Sequence, residues 1–163
     1  MRKPKTEKAM LLAVAKDVLK LLAEYKLGVQ CGRYLDASLP DELDDIAYSD
    51  WDKVALQKAV PKIARFCTVC AKGAMVLAHL HLFDGIKILP GNYGTGDRAT
   101  ELFGTQGHLI EAAFECSNVS TELDNDDPSV SAAIRFGSQY SNNRRRMRAI
   151  MQNIVRNNGV FKP

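Results

Sequence analysis

Long apolar runs are missing from this 163-residue sequence: none approaches the ~20 residues that a membrane-spanning helix requires. The first apolar stretch is interrupted by Lys16, Asp17 and Lys20, and no small-residue cleavage site follows it, so a secretory leader is not expected. Internal repeats and low-complexity tracts are absent as well. Cysteine is sparse, at four residues. In the soluble, cytoplasmic chain that these absences imply, all four thiols would stay reduced. The net charge is only +3, too small to point to a nucleic-acid partner by itself. Acidic residues are missing entirely from Ser129 to the last residue.

What is present suits a globular protein. Apolar residues make up 46% of the chain and charged residues 25%, near the average for soluble domains. The length fits one domain, residues 1–163, at the usual ~100–200 residues per domain. A chain of this size buries roughly two thirds of its unfolded surface and needs no metal or disulfide to fold.

Helical spacing dominates. Leu11, Val14, Val18, Leu21, Leu22 and Tyr25 recur at three- and four-residue steps, the mark of one buried helical face. Thr6 suits the N-cap of that helix, Lys26 its last turn and Gly28 its left-handed closing residue. Pro61 is a fitting first-turn residue for a second helix, which the pattern carries to Phe83. Cys67, Cys70, Ala71, Ala74 and Ala78 would give it a small-residue stripe. It is apolar nearly all round, which marks a buried element. Further helices are expected at about residues 107–116, from Pro128 with Asp127 as its cap, and at about residues 142–158 with Gly159 after it. The expected fold is all-α: a single compact domain of five to seven helices around a central apolar helix 61–83.

Four motifs invite a chemical reading. Cys67-Thr-Val-Cys70 has redox or zinc spacing. Thioredoxin-like chemistry, however, sets such a pair where a strand enters a helix, and the pattern places this one inside a helix. On one helix Cys70 and His81 would lie about 16 Å apart, at 1.5 Å per residue, beyond the reach of ~2.0–2.3 Å zinc bonds. Cys31 and Cys116 could join only by tertiary folding. Structural burial is therefore the reading preferred for the pair. His79 and His81 point to opposite sides of their helix, so one of them faces the core, and no nucleophile at a fixed offset supports a general base. Asp124-Asn-Asp-Asp127 lacks the glycine and distal glutamate of a calcium loop. Residues 84–100, DGIKILPGNYGTGDRAT, read as a long Gly-rich connecting loop. Asp97-Arg98 stands where a phosphate-binding loop would need Lys and Ser or Thr. Loops of such length are often functional, which makes Tyr93, Thr95 and Arg98 ligand or phosphate-binding candidates.

Charge is segregated. Asp36, Asp41, Glu42, Asp44, Asp45, Asp50 and Asp52 form one acidic stretch, and Glu111, Glu115, Glu122, Asp124, Asp126 and Asp127 a second. The C-terminal part carries Arg135, Arg144, Arg145, Arg146, Arg148, Arg156 and Lys162. Arg144, Arg145 and Arg148 are candidates for a phosphate-binding face. The competing reading is internal neutralisation by either acidic stretch, and it is preferred.

Four segments carry a resemblance: Phe66-Cys-Thr-Val-Cys-Ala-Lys-Gly-Ala-Met75, Leu109-Ile-Glu-Ala-Ala-Phe114, Arg146-Met-Arg-Ala-Ile-Met-Gln-Asn-Ile154 and the closing Asn157-Asn-Gly-Val-Phe-Lys-Pro163. In these the chain resembles small, uncharacterised helical proteins of bacterial and bacteriophage genomes. The resemblance implies an accessory gene product and transfers no catalytic residue, cofactor or metal. The expected function is non-catalytic: an accessory or regulatory protein that binds a host macromolecule, in the first place a protein, through charged surfaces. The alternative is a nucleotide or nucleic-acid binder using Arg144–Arg148 and the Gly91–Arg98 loop. An enzyme using Cys67 or Cys70 with a histidine ranks third.

Overall fold

A computed structural model of the chain describes residues 3–33, 36–37, 61, 64–83, 92–117 and 126–163, with backbone alone for 36–37 and 92–100. Among them the protein is mostly helical and forms one compact domain. Helix α1 spans Glu7–Glu24. Thr6 caps it as expected, its Oγ1 accepting from the Ala9 N–H at 3.3 Å. Leu11, Val14, Val18, Leu21 and Leu22 are fully buried on its inner face.

The exit from α1 departs from expectation. Lys26, not Gly28, takes the left-handed conformation, at φ 55°. Gly28 instead opens strand β1, Gly28–Val29. A Cβ there would lie 2.8 Å from both the Cys67 carbonyl oxygen and Thr68 Oγ1, so glycine is needed for close strand approach.

The predicted helix 61–83 is corrected more substantially. Ala64–Phe66 form a short 3-10 turn, Cys67–Val69 form strand β3, and helix α2 begins only at Ala71 and ends at Phe83. Strand β3 is the middle of a three-stranded sheet. It pairs in parallel with β1, Gly28 opposite Thr68, and antiparallel with β2 (Asp36–Ala37), Asp36 opposite Thr68. A short apolar run suits a buried strand as well as a buried helix, and here ladder bonds on both sides decide it. The expected central burial holds for α2, where every residue from Ala71 to Leu80 is buried. Its small residues let α1 and α3 pack on either side.

Helix α3 spans Asn92–Glu115. It replaces the second half of the expected 84–100 loop: the backbone of residues 92–100 is helical, while residues 84–91 lie outside the described residues. The two glycines in this stretch, Gly94 and Gly96, weaken a helix by about 1 kcal/mol each but do not forbid it, and the stretch runs directly into the buried Phe103. Gly104 then breaks the helix, at φ 45° and ψ −137°, a conformation open essentially to glycine alone. The expected 107–116 helix is the part beyond this break.

Helix α4, Pro128–Ser138, starts as the sequence predicts. Asp127 caps it, Oδ1 accepting from the Ser129 N–H at 2.7 Å, with Pro128 in the first turn. Helix α5, Asn143–Arg156, is capped by Asn142 Oδ1, which accepts from the Arg145 N–H at 3.1 Å. It packs on α1, and α4 packs on α3. Beyond α5 the chain reverses at Asn158 (φ 53°) and Gly159 (φ 88°). The Asn153 side chain then grips the backbone of Lys162 from both sides, at 2.6 and 2.9 Å. Phe161 is thereby seated in the core, edge-on to Phe136.

The acidic stretch from Asp41 to Asp52 lies outside the described residues, as do Glu122 and Asp124. Of the other members of the second acidic patch, only Asp126 is fully exposed. Glu111 is buried, Glu115 half-buried, and Asp127 serves as a helix cap.

Candidate functional site

The seven cationic residues of the C-terminal part divide into anchors and an outward row. Arg144 turns inward. Its guanidinium donates to the Leu27 carbonyl at 2.7 Å and to the Leu22 carbonyl, satisfying orphan acceptors where α1 ends. Arg146 does the same for two other helices, donating to Phe114 O at 2.7 Å, Gly137 O at 3.1 Å and Tyr140 O at 2.8 Å. A cation at a helix C-terminus also meets the negative end of the helix dipole. Arg144 is thus spent on the fold, which the sequence did not foresee.

Arg145 and Arg148 remain exposed. Spacing of three and four residues puts them in line with Gln152 and Arg156, also exposed, along one face of α5. The row is about 16 Å long at 1.5 Å rise per residue. Among the described residues none of the three arginines has an ion-pair partner.

The interior holds polar groups that the sequence reading did not single out. Lys72 of α2 and Glu111 of α3 form an ion pair at 2.5 Å, each side chain about 5% exposed. Asp17 of α1 is buried and its Oδ2 lies 2.8 Å from His81 Nδ1. Burial raises the Asp17 carboxyl above its ordinary value, while the His81 hydrogen bond works the other way. Periodicity offered one clue to Asp17: it lies three residues after Val14 and four before Leu21, on the core side of α1. A lone lysine in an otherwise apolar helix was the comparable clue to Lys72.

His79 is the histidine that faces the core. It is 1% exposed, stands edge-on to Phe83 with ring centroids 5.3 Å apart, and has no hydrogen-bond partner for either ring nitrogen among the described residues. Burial first, and the Lys3 charge second, hold its pKa down at about 4 against an ordinary 6.5. The folded state therefore binds fewer protons than the unfolded chain between these values. His79 leaves stability unchanged above pH 6.5 and lowers it as pH falls towards 4, by at most about 3 kcal/mol. Denaturation of wild type and His79→Phe across this range should give a stability gap that widens in favour of the variant with acid. A gap independent of pH would contradict this account.

The paired thiols sit where a strand enters a helix after all. Cys67 opens β3 and Cys70 directly precedes α2, its carbonyl accepting from the Ala74 N–H at 2.9 Å. Both are only 2% exposed. Burial pushes the Cys70 thiol up to about 12, outweighing the hydrogen bonds it accepts from the Gly73 and Lys72 N–H groups. A thiol both raised and shut off from solvent is not placed to attack a substrate.

Tyr93, Thr95 and Arg98 fall within the first turns of α3, and their side chains lie outside the described residues. Among the described residues, no group of three or more His, Cys, Asp and Glu side chains is placed to hold a metal ion, and no helix is long and apolar enough to cross a membrane. Compared with protein-family models, curated proteins and solved structures, the chain matches none of them.

Proposed function

We propose that this chain is a non-catalytic accessory or regulatory protein of a bacterium, phage or mobile element. It works in the cytoplasm by docking the outer face of α5 onto an acidic surface of a host protein. The observation that carries the reading is the row Arg145–Arg148–Arg156, exposed and without an ion-pair partner among the described residues. Guanidinium groups are weakly hydrated and recognise carboxylates in a bidentate fashion, so such a row is suited to an acidic partner. The row is also held rigidly, because Arg144 and Arg146 fasten the same helix to its neighbours. Support for an enzyme is thinner, since the Cys70 thiol is buried and raised.

The test compares wild type with the triple variant Arg145→Glu, Arg148→Glu, Arg156→Glu, both checked for helicity, in low-salt capture from host lysate. Proteins retained by wild type and lost with the variant are expected. The same set on both would sink the proposal.

A second reading, a nucleic-acid binder, draws on the same row and on the absence of any acidic residue from Ser129 onward. Three phosphate contacts would give a plot of log affinity against log salt a slope of roughly −3 for duplex DNA. Fluorescence anisotropy with a labelled duplex measures it directly, and salt-insensitive or absent binding removes this alternative.

A further inference from the structure

The two cysteines outside the paired motif both lie against the last turn of α3. Cys31 lies in the turn that follows β1, and Cys116 immediately follows α3; both are half-buried. Their thiols donate to the carbonyls of consecutive residues, Cys31 Sγ to Phe114 O at 3.7 Å and Cys116 Sγ to Ala113 O at 3.8 Å. Glu115 fastens the two segments together, since both its carboxylate oxygens accept from the Gly32 N–H, at 3.0 and 3.1 Å. On the other side Arg146 Nη1 lies 3.6 Å from Cys31 Sγ, and Asn143 Oδ1 accepts from the same thiol at 3.4 Å. Space beside Gly32 is open, as a Cβ there would meet nothing within 4 Å. Cys31 is thus a thiol with a cation, a carboxylate and a second thiol around it, reachable from solvent. Cys67 and Cys70 have no comparable access.

We infer that Cys31 and Cys116 form a reversible dithiol–disulfide pair, a modification site for low-molecular-weight disulfides that lies apart from the arginine row. The chemistry balances in two exchanges. The Cys31 thiolate, having released its proton to solvent, attacks one sulfur of the small disulfide. An S–S bond forms to Cys31 while the other half leaves as a thiolate. The Cys116 thiolate then attacks the Cys31 sulfur of this mixed disulfide, closing the Cys31–Cys116 bond and releasing the second half. Two protein thiols are oxidised, one small disulfide is reduced to two thiols, and the two protons end on those thiols. Arg146 stabilises the attacking thiolate. Glu115 acts as a brake, because burial first and then its carboxylate raise the Cys31 thiol above its ordinary value.

The test exposes the native protein to oxidised glutathione, quenches with acid, and reads intact mass and linked peptides. The expected product has lost two hydrogens, carries no glutathione, yields a Cys31–Cys116 linked peptide and returns to the starting mass with dithiothreitol. Cys116→Ser should instead retain glutathione on Cys31. Glu115→Gln, which keeps an acceptor for Gly32, should react several-fold faster at neutral pH. Links through Cys67 or Cys70, glutathione retained by the wild-type protein, no modification at all, or an unchanged rate in Glu115→Gln would each overturn the assignment.

Discussion

Lys72→Met is expected to destabilise the protein by about 3–5 kcal/mol, the usual cost of leaving one member of a buried ion pair without its partner. The pair joins α2 to α3 at 2.5 Å with both side chains about 5% exposed. Methionine nearly matches lysine in length, so packing changes little. What changes is that the Glu111 carboxyl loses its cation in a poorly hydrated setting. The double variant Lys72→Met, Glu111→Leu removes both charges and should regain most of the loss, because an apolar pair of similar volume often equals or exceeds a buried ion pair. Urea denaturation of the three proteins at neutral pH provides the measurement. A single variant within about 1 kcal/mol of wild type would refute a buried, charged pair, since that is the range of exposed pairs.

Gly159→Ala should cost a comparable amount, about 2–5 kcal/mol, by a different route. Gly159 has φ 88°, where a side chain is strained at about 1–2 kcal/mol. The added Cβ would also overlap the Lys8 carbonyl oxygen, and overpacking against backbone costs roughly 1–3 kcal/mol more. Relief would require the tail to lift away from α1, and with it Phe161, which is 2% exposed in the core. Gly32→Ala is the matched control. Its φ is also positive, at 71°, but a Cβ there would meet none of the described residues within 4 Å, so it carries the strain without the overlap. Thermal unfolding should place Gly32→Ala well above Gly159→Ala. Equal losses would remove the overlap from the account.

Capping chemistry was the most legible part of the sequence. Thr6, Asp127 with Pro128, and Gly159 mark helix ends through local backbone and hydrogen-bonding needs, and α1, α4 and α5 lie beside them, with Asn142 emerging as the cap of α5 only in the structure. Two elements were misread, both because tertiary partners decided them. Cys67–Val69 is too short and too apolar for periodicity to identify, and its state depends on β1 and β2 some thirty to forty residues earlier in the chain. Residues 92–100 carry turn chemistry yet adopt a helix that the apolar residues beyond them extend. Of the candidate site, Arg145 and Arg148 were named as candidates, but the preferred expectation was neutralisation by an acidic stretch, and both are instead exposed. The inward turn of Arg144 was not legible, since nothing local to α5 encodes the carbonyls of Leu22 and Leu27. The pairing of Asp17 with His81 likewise joins residues 64 apart in the chain.

The two inward-facing arginines gather the C-terminal ends of α1, α3 and α4 around the beginning of α5. Three chain segments that the sequence keeps far apart thus share one hub. A partner docking on the outer side of α5, as proposed, would meet a helix whose backbone is already fastened at its start, so the backbone would add little ordering cost. Recognition there should accordingly run as rigid-body docking at a speed set by diffusion and charge, with no slow rearrangement behind it.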